Sequence, residues 1–252
     1  MDVHAARILR TLGIAGLLAP VPGLMLGATA APAGGGRAAG ERACRHRPAT
    51  IVGGPRDDRI RGTGRSDVIA AGPGDDLVLA LGGRDVICAG PGADVVRADG
   101  AEDWAKGGRG DDRVLGGAGI DLLRGARGGD SLLGEPESDD LHGGDGSDLI
   151  REQRGSGGFL SGGPGDDRIF GGSLILGGTG ADAVRSGRGG DRVRGGGGPD
   201  YLSGGVRDDD LGGSAGNDHL FGRLGDDDLN GGPGTDACDQ GLGTGTVQNC
   251  EL

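Results

Sequence analysis

The sequence predicts an all-β fold, a parallel β-solenoid (β-roll) of nine-residue repeats with two repeats to each coil. Three observations predict it. Glycine supplies 63 of 252 residues, aspartate recurs every nine residues, and an aliphatic residue usually follows each of these aspartates by two positions. With one Trp, one Tyr and three Phe, the chain lacks the bulky side chains of a large globular core. A short regular period in such a chain is typical of a repeat architecture.

The charge balance argues against nucleic acid as a partner. Asp and Glu total 38 against 26 Lys and Arg, and the net charge is −12 at pH 7. Nucleic-acid-binding proteins present a basic surface instead. Most of the acidic residues are aspartates, whose short side chains suit turns and sites for hard cations.

Residues 1–30 are predicted to be a secretory signal peptide. Two arginines precede an apolar run over 12–26, and Ala28–Ala30 has the small-x-small pattern of a cleavage site. The alternative, a membrane anchor, is disfavoured because two prolines interrupt a run that is short for a bilayer span. We therefore expect cleavage near Ala30, an extracellular location without a membrane span, and a flexible lead-in over 31–49.

From Gly53 the chain can be cut into nine-residue units. Eleven units run without an insertion, each with aspartate at position six. Position eight is aliphatic in ten of these eleven units, and Ala105 is the exception. This regularity predicts a repeat domain over 50–239.

The period is irregular only over 152–176. This segment holds a ten-residue unit with Gly157 where aspartate is expected, a regular unit at 162–170, and a six-residue remnant at 171–176. Seven more regular units run from Gly177. We count the ten-residue unit and the remnant as one half-coil each.

The repeat is suited to binding calcium. Three residues of a unit make a short strand with one inward side chain, and six make a glycine-rich turn, so two units complete a coil. Units two apart then stack about 4.8 Å apart, which brings their aspartates and turn carbonyls together. Ca²⁺ takes six to eight oxygen ligands, whereas Mg²⁺ needs stricter octahedra and Zn²⁺ prefers His or Cys. Because stacked carboxylates repel, we expect several Ca²⁺ ions as cofactors and folding that depends on them.

The unit resembles the RTX, or haemolysin-type, calcium-binding nonapeptide repeat, G-G-x-G-x-D-x-U-x. Matches to its first six positions stand at 107–112, 116–121, 143–148, 162–167, 177–182, 195–200 and 231–236. The resemblance covers nearly everything from Thr50 to the C-terminus. It implies a calcium-loaded parallel β-roll in a secreted bacterial repeat protein.

The two edges of the predicted roll differ at position four, where glycine is expected. A side chain there must enter an unfavourable backbone region, and five units have one: Arg56, Arg65, Ala101, Glu137 and Arg207. One edge keeps glycine in all units but its first and is predicted to bind calcium more strongly, through Asp76, Asp94, Asp112, Asp130, Asp148, Asp167, Asp182, Asp200, Asp218 and Asp236. Asp58 begins that edge, but Arg56 in its unit brings a competing positive charge. The opposite edge is predicted to have weaker, patchy sites at Asp67, Asp85, Asp103, Asp121, Asp139, Asp191, Asp209 and Asp227.

Four cysteines in a chain predicted to be exported suggest two disulfides. Cys238 and Cys250 lie close together at the end of the last repeat, so their pairing would pin a C-terminal cap over 240–252. Cys44 would then pair with Cys88 and tie the lead-in to an early coil. Free thiols are the alternative.

No catalytic residue is predicted. The motifs H-E-x-x-H, G-x-S-x-G and the P-loop are absent from the sequence, and the turns are too tight for the cleft of a solenoid enzyme. The sequence therefore predicts a secreted, monomeric calcium-binding protein with no activity of its own. The alternative is an extracellular adhesion or structural module whose solenoid face binds a glycan or a protein partner.

Overall fold

The computed structural model describes residues 43–153 and 157–251. The predicted signal peptide and the greater part of the predicted lead-in lie outside these residues. Regular structure in the described part is all strand, so it offers no helix that could cross a membrane. Two long parallel sheets face each other, and a short antiparallel hairpin of β1 (Ala43–Cys44) and β2 (Arg47–Pro48) precedes them.

The strands alternate between the two sheets along the chain. The twelve-stranded sheet contains β3 (Ile51–Val52), β5 (Val68–Ala70), β7 (Val86–Pro91), β9 (Trp104–Arg109), β11 (Leu122–Arg127), β13 (Asp140–Asp145), β15 (Phe159–Pro164), β17 (Leu174–Thr179), β19 (Arg192–Gly197), β21 (Asp210–Ala215), β23 (Asp228–Asn230) and β25 (Val247–Gln248). The eleven-stranded sheet contains β4 (Arg59–Arg61), β6 (Leu77–Leu79), β8 (Val95–Gly100), β10 (Arg113–Ala118), β12 (Ser131–Leu133), β14 (Leu149–Arg151), β16 (Arg168–Phe170), β18 (Ala183–Gly187), β20 (Tyr201–Val206), β22 (His219–Leu224) and β24 (Ala237–Asp239). This is the predicted parallel β-roll.

The strand register follows the repeat. Val114 pairs with Val96 on one side and Leu132 on the other, each of them two repeats away along the chain. Position eight of each regular unit points between the sheets, as do Leu160 and Ile175 of the irregular units, and these side chains are buried except for the partly buried Cys238 of the last unit. The resulting core is a column of Ile60, Ile69, Val78, Ile87, Val96, Ala105, Val114, Leu123, Leu132, Leu141, Ile150, Leu160, Ile169, Ile175, Val184, Val193, Leu202, Leu211, Leu220 and Leu229, with the position-one alanines Ala71, Ala80, Ala89 and Ala98 beside it.

Many strands are longer than the three residues predicted. β8, for example, spans six residues and continues from positions seven to nine into the first three positions of the next unit. The extension occurs because the turn backbone also pairs with the neighbouring coil, as in the pairing of Gly117 with Asp99. The turns therefore belong to the sheets.

The irregular segment keeps the two sheets in phase, although its units differ in length from the regular repeat. Phe159 pairs with Asp140 in the coil before it and with Leu174 in the coil after it. Arg168 likewise pairs with Leu149 and with Ala183. Each irregular unit thus fills one half-coil, and units on one edge before the segment stay on that edge after it.

Both ends of the solenoid are tied by disulfides with the pairing predicted from the sequence. Cys44–Cys88 joins the hairpin to β7, and Cys238–Cys250 joins β24 to the C-terminal segment. The hairpin, at the end of the predicted flexible lead-in, is ordered because Cys44 packs against Val68 in a small second core. The predicted cap contributes β25, which continues the twelve-stranded sheet beyond β23.

Candidate metal centre

The position-six aspartates form two stacked rows, one on each edge of the solenoid. We call the row that precedes the strands of the eleven-stranded sheet the long ladder: Asp58, Asp76, Asp94, Asp112, Asp130, Asp148, Asp167, Asp182, Asp200, Asp218 and Asp236. Within it, the backbone N–H of each aspartate donates to Oδ1 of the aspartate in the next coil, at N–O distances of 2.7–2.9 Å. The long ladder runs through the irregular segment without a gap.

The second row, on the other edge, is interrupted. We call it the broken ladder: Asp67, Asp85, Asp103, Asp121 and Asp139, then Asp191, Asp209 and Asp227. The same hydrogen bond joins neighbours within each part. Between the parts, Gly158 and Ser173 stand before β15 and β17 where aspartates would stand, so the expectation that Gly157 takes this place was wrong by one residue. The ladder therefore loses two consecutive carboxylates.

The second carboxylate oxygen of nearly every ladder aspartate is buried and accepts no hydrogen bond. This holds for Oδ2 of Asp76, Asp85, Asp94, Asp103, Asp112, Asp121, Asp130, Asp139, Asp148, Asp167, Asp182, Asp191, Asp200, Asp209, Asp218, Asp227 and Asp236. A buried carboxylate oxygen without a partner is costly. A repeated set of buried carboxylate oxygens without hydrogen-bond donors is chemically suited to a row of cation sites.

The first aspartate of each ladder differs. Oδ2 of Asp58 accepts the backbone N–H of Gly54, and Oδ2 of Asp67 accepts both the N–H and the hydroxyl of Thr63, at 2.8 and 2.9 Å. Protein donors therefore satisfy these two carboxylates. Asp67 was predicted to be a weaker calcium ligand. Like Asp58, it has an Oδ2 atom that already accepts hydrogen bonds from the protein.

Backbone carbonyls supply further oxygens along each edge. A Cβ on Gly90, at position two, would strike the carbonyl oxygen of Gly72 in the preceding coil. A Cβ on Gly92, at position four, would strike that of Gly74. Carbonyls of stacked turns thus point at the next turn, and at position one a Cβ on Gly143 would strike both Oδ2 of Asp148 and the carbonyl oxygen of Gly162. An oxygen-only donor set of this kind suits Ca²⁺, which accepts carboxylate and carbonyl ligands together.

Side chains alone do not make a metal centre. Among the residues that the structure describes, no group of three or more His, Cys, Asp or Glu side chains is placed to hold one ion. Any cation in the ladders would therefore depend on the turn carbonyls. This fits the glycine content of the turns, because glycine lets the backbone adopt the required positive φ.

Positive φ occurs at position four, as predicted, and also at position two, which the sequence reasoning missed. Ala101, Glu137 and Arg207 have φ of 83°, 80° and 82°. At position two, Arg223 has φ of 85°. The expectation was wrong for Arg56 and Arg65, neither of which has positive φ. Their turns are the first on each edge, where the aspartates make the local hydrogen bonds described above.

Burial raises the pKa of the ladder carboxyls from Asp76 to Asp227. Loss of solvation, opposed by the hydrogen bond from the preceding aspartate and reinforced by neighbouring carboxylates, raises the pKa of Asp103 to about 8. The same causes raise the pKa of Asp112 and of Asp148 to about 7. At neutral pH, ionising these buried carboxyls therefore costs free energy, and a bound cation would remove that cost.

Two glutamates that the sequence reasoning missed contact the ladders. Glu251 Oε2 accepts the N–H of Asp236 at 2.7 Å and so ends the long ladder as a further aspartate would. The carboxylate of Glu152 lies beside that of Asp139, both against Gly134, where the broken ladder is interrupted. Neither glutamate stands at position six of a regular unit, so the repeat pattern could not reveal them.

Comparison with known proteins gives one result. A family model that describes four copies of the RTX calcium-binding nonapeptide repeat matches the chain in six places. The matched residues are 52–87, 89–123, 115–150, 156–173, 176–211 and 203–237. No curated protein matches the chain. The matched ranges contain every aspartate of both ladders.

Proposed function

Because the chain belongs to the RTX calcium-binding nonapeptide repeat family, we propose that it is a secreted calcium-binding β-roll that folds when calcium binds. We further propose that the long ladder from Asp76 to Asp236 forms the stronger sites and the broken ladder the weaker ones.

One observation carries the proposal: 17 ladder aspartates each bury an Oδ2 atom that accepts no hydrogen bond. These aspartates are at most 4% exposed. Burying a carboxylate without a partner is costly, and the ladders repeat that cost in every coil from Asp76 to Asp236. Neighbouring carboxylates also repel one another. The folded chain therefore needs compensating positive charge along both edges.

The ladder aspartates and the carbonyls of positions two and four would hold the ions. Calcium, when bound, supplies the positive charge and accepts oxygen ligands at roughly 2.3–2.6 Å in adaptable geometry. The protein's own part is to orient the donors. Oδ1 is fixed by the N–H of the preceding coil, as in Asp130 to Asp148 at 2.7 Å, and this leaves Oδ2 directed into the turn.

The small core supports the same conclusion. Most units contribute a single large aliphatic side chain to the core, and its burial offsets only a small part of the entropy lost in ordering nine residues. Hydrogen bonds between coils each contribute only about 1 kcal/mol net. Calcium binding is therefore expected to drive folding, as in other metal-dependent small-core domains.

Secretion is supported by the predicted signal peptide, which lies outside the described residues, and by the disulfides. Cys44–Cys88 and Cys238–Cys250 are of a kind that forms in oxidising compartments. Calcium is also abundant outside cells. Cleavage near Ala30 would be read directly from the N-terminal sequence of the exported protein.

Circular dichroism of the mature chain tests coupled folding. We expect a β spectrum in millimolar calcium, loss of most of it in EDTA, and recovery when calcium is restored. Magnesium at the same concentration is the control and should restore little. An unchanged β spectrum in EDTA would refute the proposal, and calorimetric titration would count the ions.

A further inference from the structure

The outward side of the eleven-stranded sheet is strongly basic, although the protein as a whole is acidic. Positions seven and nine of its strands carry seven exposed arginines, which we call the arginine face: Arg59, Arg61, Arg97, Arg113, Arg151, Arg168 and Arg185. From β4 to β22, these two positions hold no aspartate or glutamate. Because the protein's net charge is −12, the overall composition does not account for the fact that the charged side chains at these positions are all positive.

Most of these arginines lack a carboxylate partner. Among the described residues, Arg97 alone of the seven forms an ion pair, with Asp99 at 3.9 Å. The twelve-stranded sheet differs, since there Arg192 and Arg194 both pair with Asp210 at 2.9 Å. The arginine face is thus left with guanidinium groups directed to solvent.

The arginines are spaced along the solenoid. In the position-nine row, Arg61, Arg97, Arg151 and Arg185 are separated by two, three and two coils. With strands about 4.8 Å apart, these steps are about 10 and about 14 Å. Arginines on this face are never direct cross-strand neighbours, so their mutual repulsion is small.

Aromatic rings accompany the arginines. Phe170 lies between Arg151 and Arg185 in the sheet, and the guanidinium of Arg151 is 5.4 Å from the centre of its ring. Tyr201 and Phe221 contact each other further along, with ring centres 4.8 Å apart. Three of the chain's five aromatic residues therefore stand on this one face.

We propose that the arginine face binds an extended acidic polysaccharide. Guanidinium groups bind carboxylate and sulfate groups through paired hydrogen bonds, and flat rings offer apolar area to sugar rings. The strip is two outward side chains wide and eleven strands long, which suits a single extended chain. A pyranose ring is about as long as the rise of one coil, so charges on every second or third ring would meet the arginines.

Two other partners fit less well. A nucleic acid strand carries a charge on every nucleotide, so it places more charges beside the exposed turn aspartates, such as Asp75 on one side of the strip and Asp226 on the other, than a polysaccharide charged on every second or third ring does. A membrane surface would need protruding apolar groups to insert. At positions seven and nine of this sheet, Tyr201 is the one large apolar residue that is exposed, and it is only 36% exposed.

The test uses the mature chain in millimolar calcium with fluorescent decasaccharides of hyaluronate and of chondroitin sulfate. The control ligand is hyaluronate decasaccharide with its carboxyl groups reduced. The face variant R113Q/R151Q/R168Q is compared with K106Q/R124Q/R192Q, which removes three positive charges from the twelve-stranded sheet. We expect wild-type binding to an acidic decasaccharide that weakens with salt. The face variant should lose about tenfold in affinity, and the control variant should change less than about twofold.

Every other result overturns the inference. Absence of binding to both acidic decasaccharides by folded protein, equal binding of the reduced ligand, or equal loss in both variants would do so. Tighter binding to a ten-nucleotide single strand or to anionic phosphatidylserine vesicles would assign the face to another partner. The inference rests on calcium-dependent folding only because folding creates the face. Circular dichroism of each sample separates failure of folding from failure of recognition.

Discussion

Within one ladder aspartate, the two carboxylate oxygens have different roles. In Asp148, Oδ1 accepts the N–H of Asp130, and Oδ2 is buried without a hydrogen-bond donor. The first oxygen is a structural acceptor that stacks the coils. The second is available to a cation, and it is the atom whose loss should affect calcium binding.

Asp148→Asn separates these roles, because asparagine keeps an oxygen for the N–H of Asp130 and removes the charge. We expect at least one calcium ion fewer by calorimetry and a calcium midpoint for folding about tenfold higher. Asp58→Asn is the matched control, since Oδ2 of Asp58 accepts the N–H of Gly54. Its stoichiometry should equal that of the wild type, and equal effects of the two substitutions would contradict the assignment.

Arg207 is a second informative residue because it has φ of 82° at position four. A non-glycine residue in this region costs about 1–2 kcal/mol, so Arg207→Gly should stabilise the calcium-bound protein by about 1 kcal/mol. Chemical denaturation in calcium measures the change. Arg188→Gly, at a neighbouring exposed position without positive φ, should destabilise it slightly. Destabilisation by Arg207→Gly would show that its side chain contributes more than the strain costs.

For single residues, the sequence could predict those that recur with the nine-residue period. In the regular units, every position-six aspartate and every position-eight core residue follows from counting by nines, whereas Leu160 and Ile175 lie in the irregular units. Glu251 and Glu152 do not, because each contacts a ladder from outside position six. The repeat pattern also could not predict that Arg56 and Arg65 avoid positive φ, because this depends on their turns being the first on each edge.

Among the secondary-structure elements, the ends of the solenoid differ most from its repeats. The hairpin of β1 and β2 packs on the outward face of the first strands of the twelve-stranded sheet: Cys44 is fully buried, and the guanidinium of Arg45 lies 5.2 Å from the ring centre of Trp104. Trp104 precedes the inward-facing Ala105, so its ring points outward from the sheet, and the hairpin partly covers it. Composition alone favoured a flexible segment here, because the burial comes from contacts between parts of the chain that are distant in sequence.

Removing the disulfides one at a time measures what each end contributes. Cys44–Cys88 closes a loop with a sequence separation of 44, and Cys238–Cys250 one of 12. Loop-closure entropy gives losses of about 4 and about 3 kcal/mol for C44A/C88A and C238A/C250A. Denaturation in calcium should show the larger loss for C44A/C88A. The opposite order would mean that the C-terminal segment with β25 holds more of the fold than the hairpin does.

For the whole molecule, the two edges were predicted to be unequal, and the stacking gives that expectation a structural basis. The long ladder connects all eleven coils through one hydrogen-bond series, whereas the broken ladder stops at Asp139 and resumes at Asp191. The sequence could predict this because the irregular units fill half-coils. Whether the long ladder binds calcium more strongly stays a prediction.

The raised carboxyl pKa values make the whole fold sensitive to pH in a direction opposite to that of ordinary carboxylates. In the folded chain without metal, burial raises the pKa of Asp103 to about 8 and of Asp148 to about 7, from an ordinary 3.8. Below these values the folded form holds protons that the unfolded chain has released. In EDTA, lowering the pH from about 8 to about 5.5 should therefore increase the β signal.

Calcium binding should respond in the opposite sense, because protons and calcium compete for the same carboxylates. The calcium midpoint for folding should rise as the pH falls through the same range. Calcium titrations followed by circular dichroism at several pH values measure it, with ionic strength held constant. A midpoint that is independent of pH would mean that these carboxylates are already ionised in the folded chain, and that repulsion among them is not what calcium relieves.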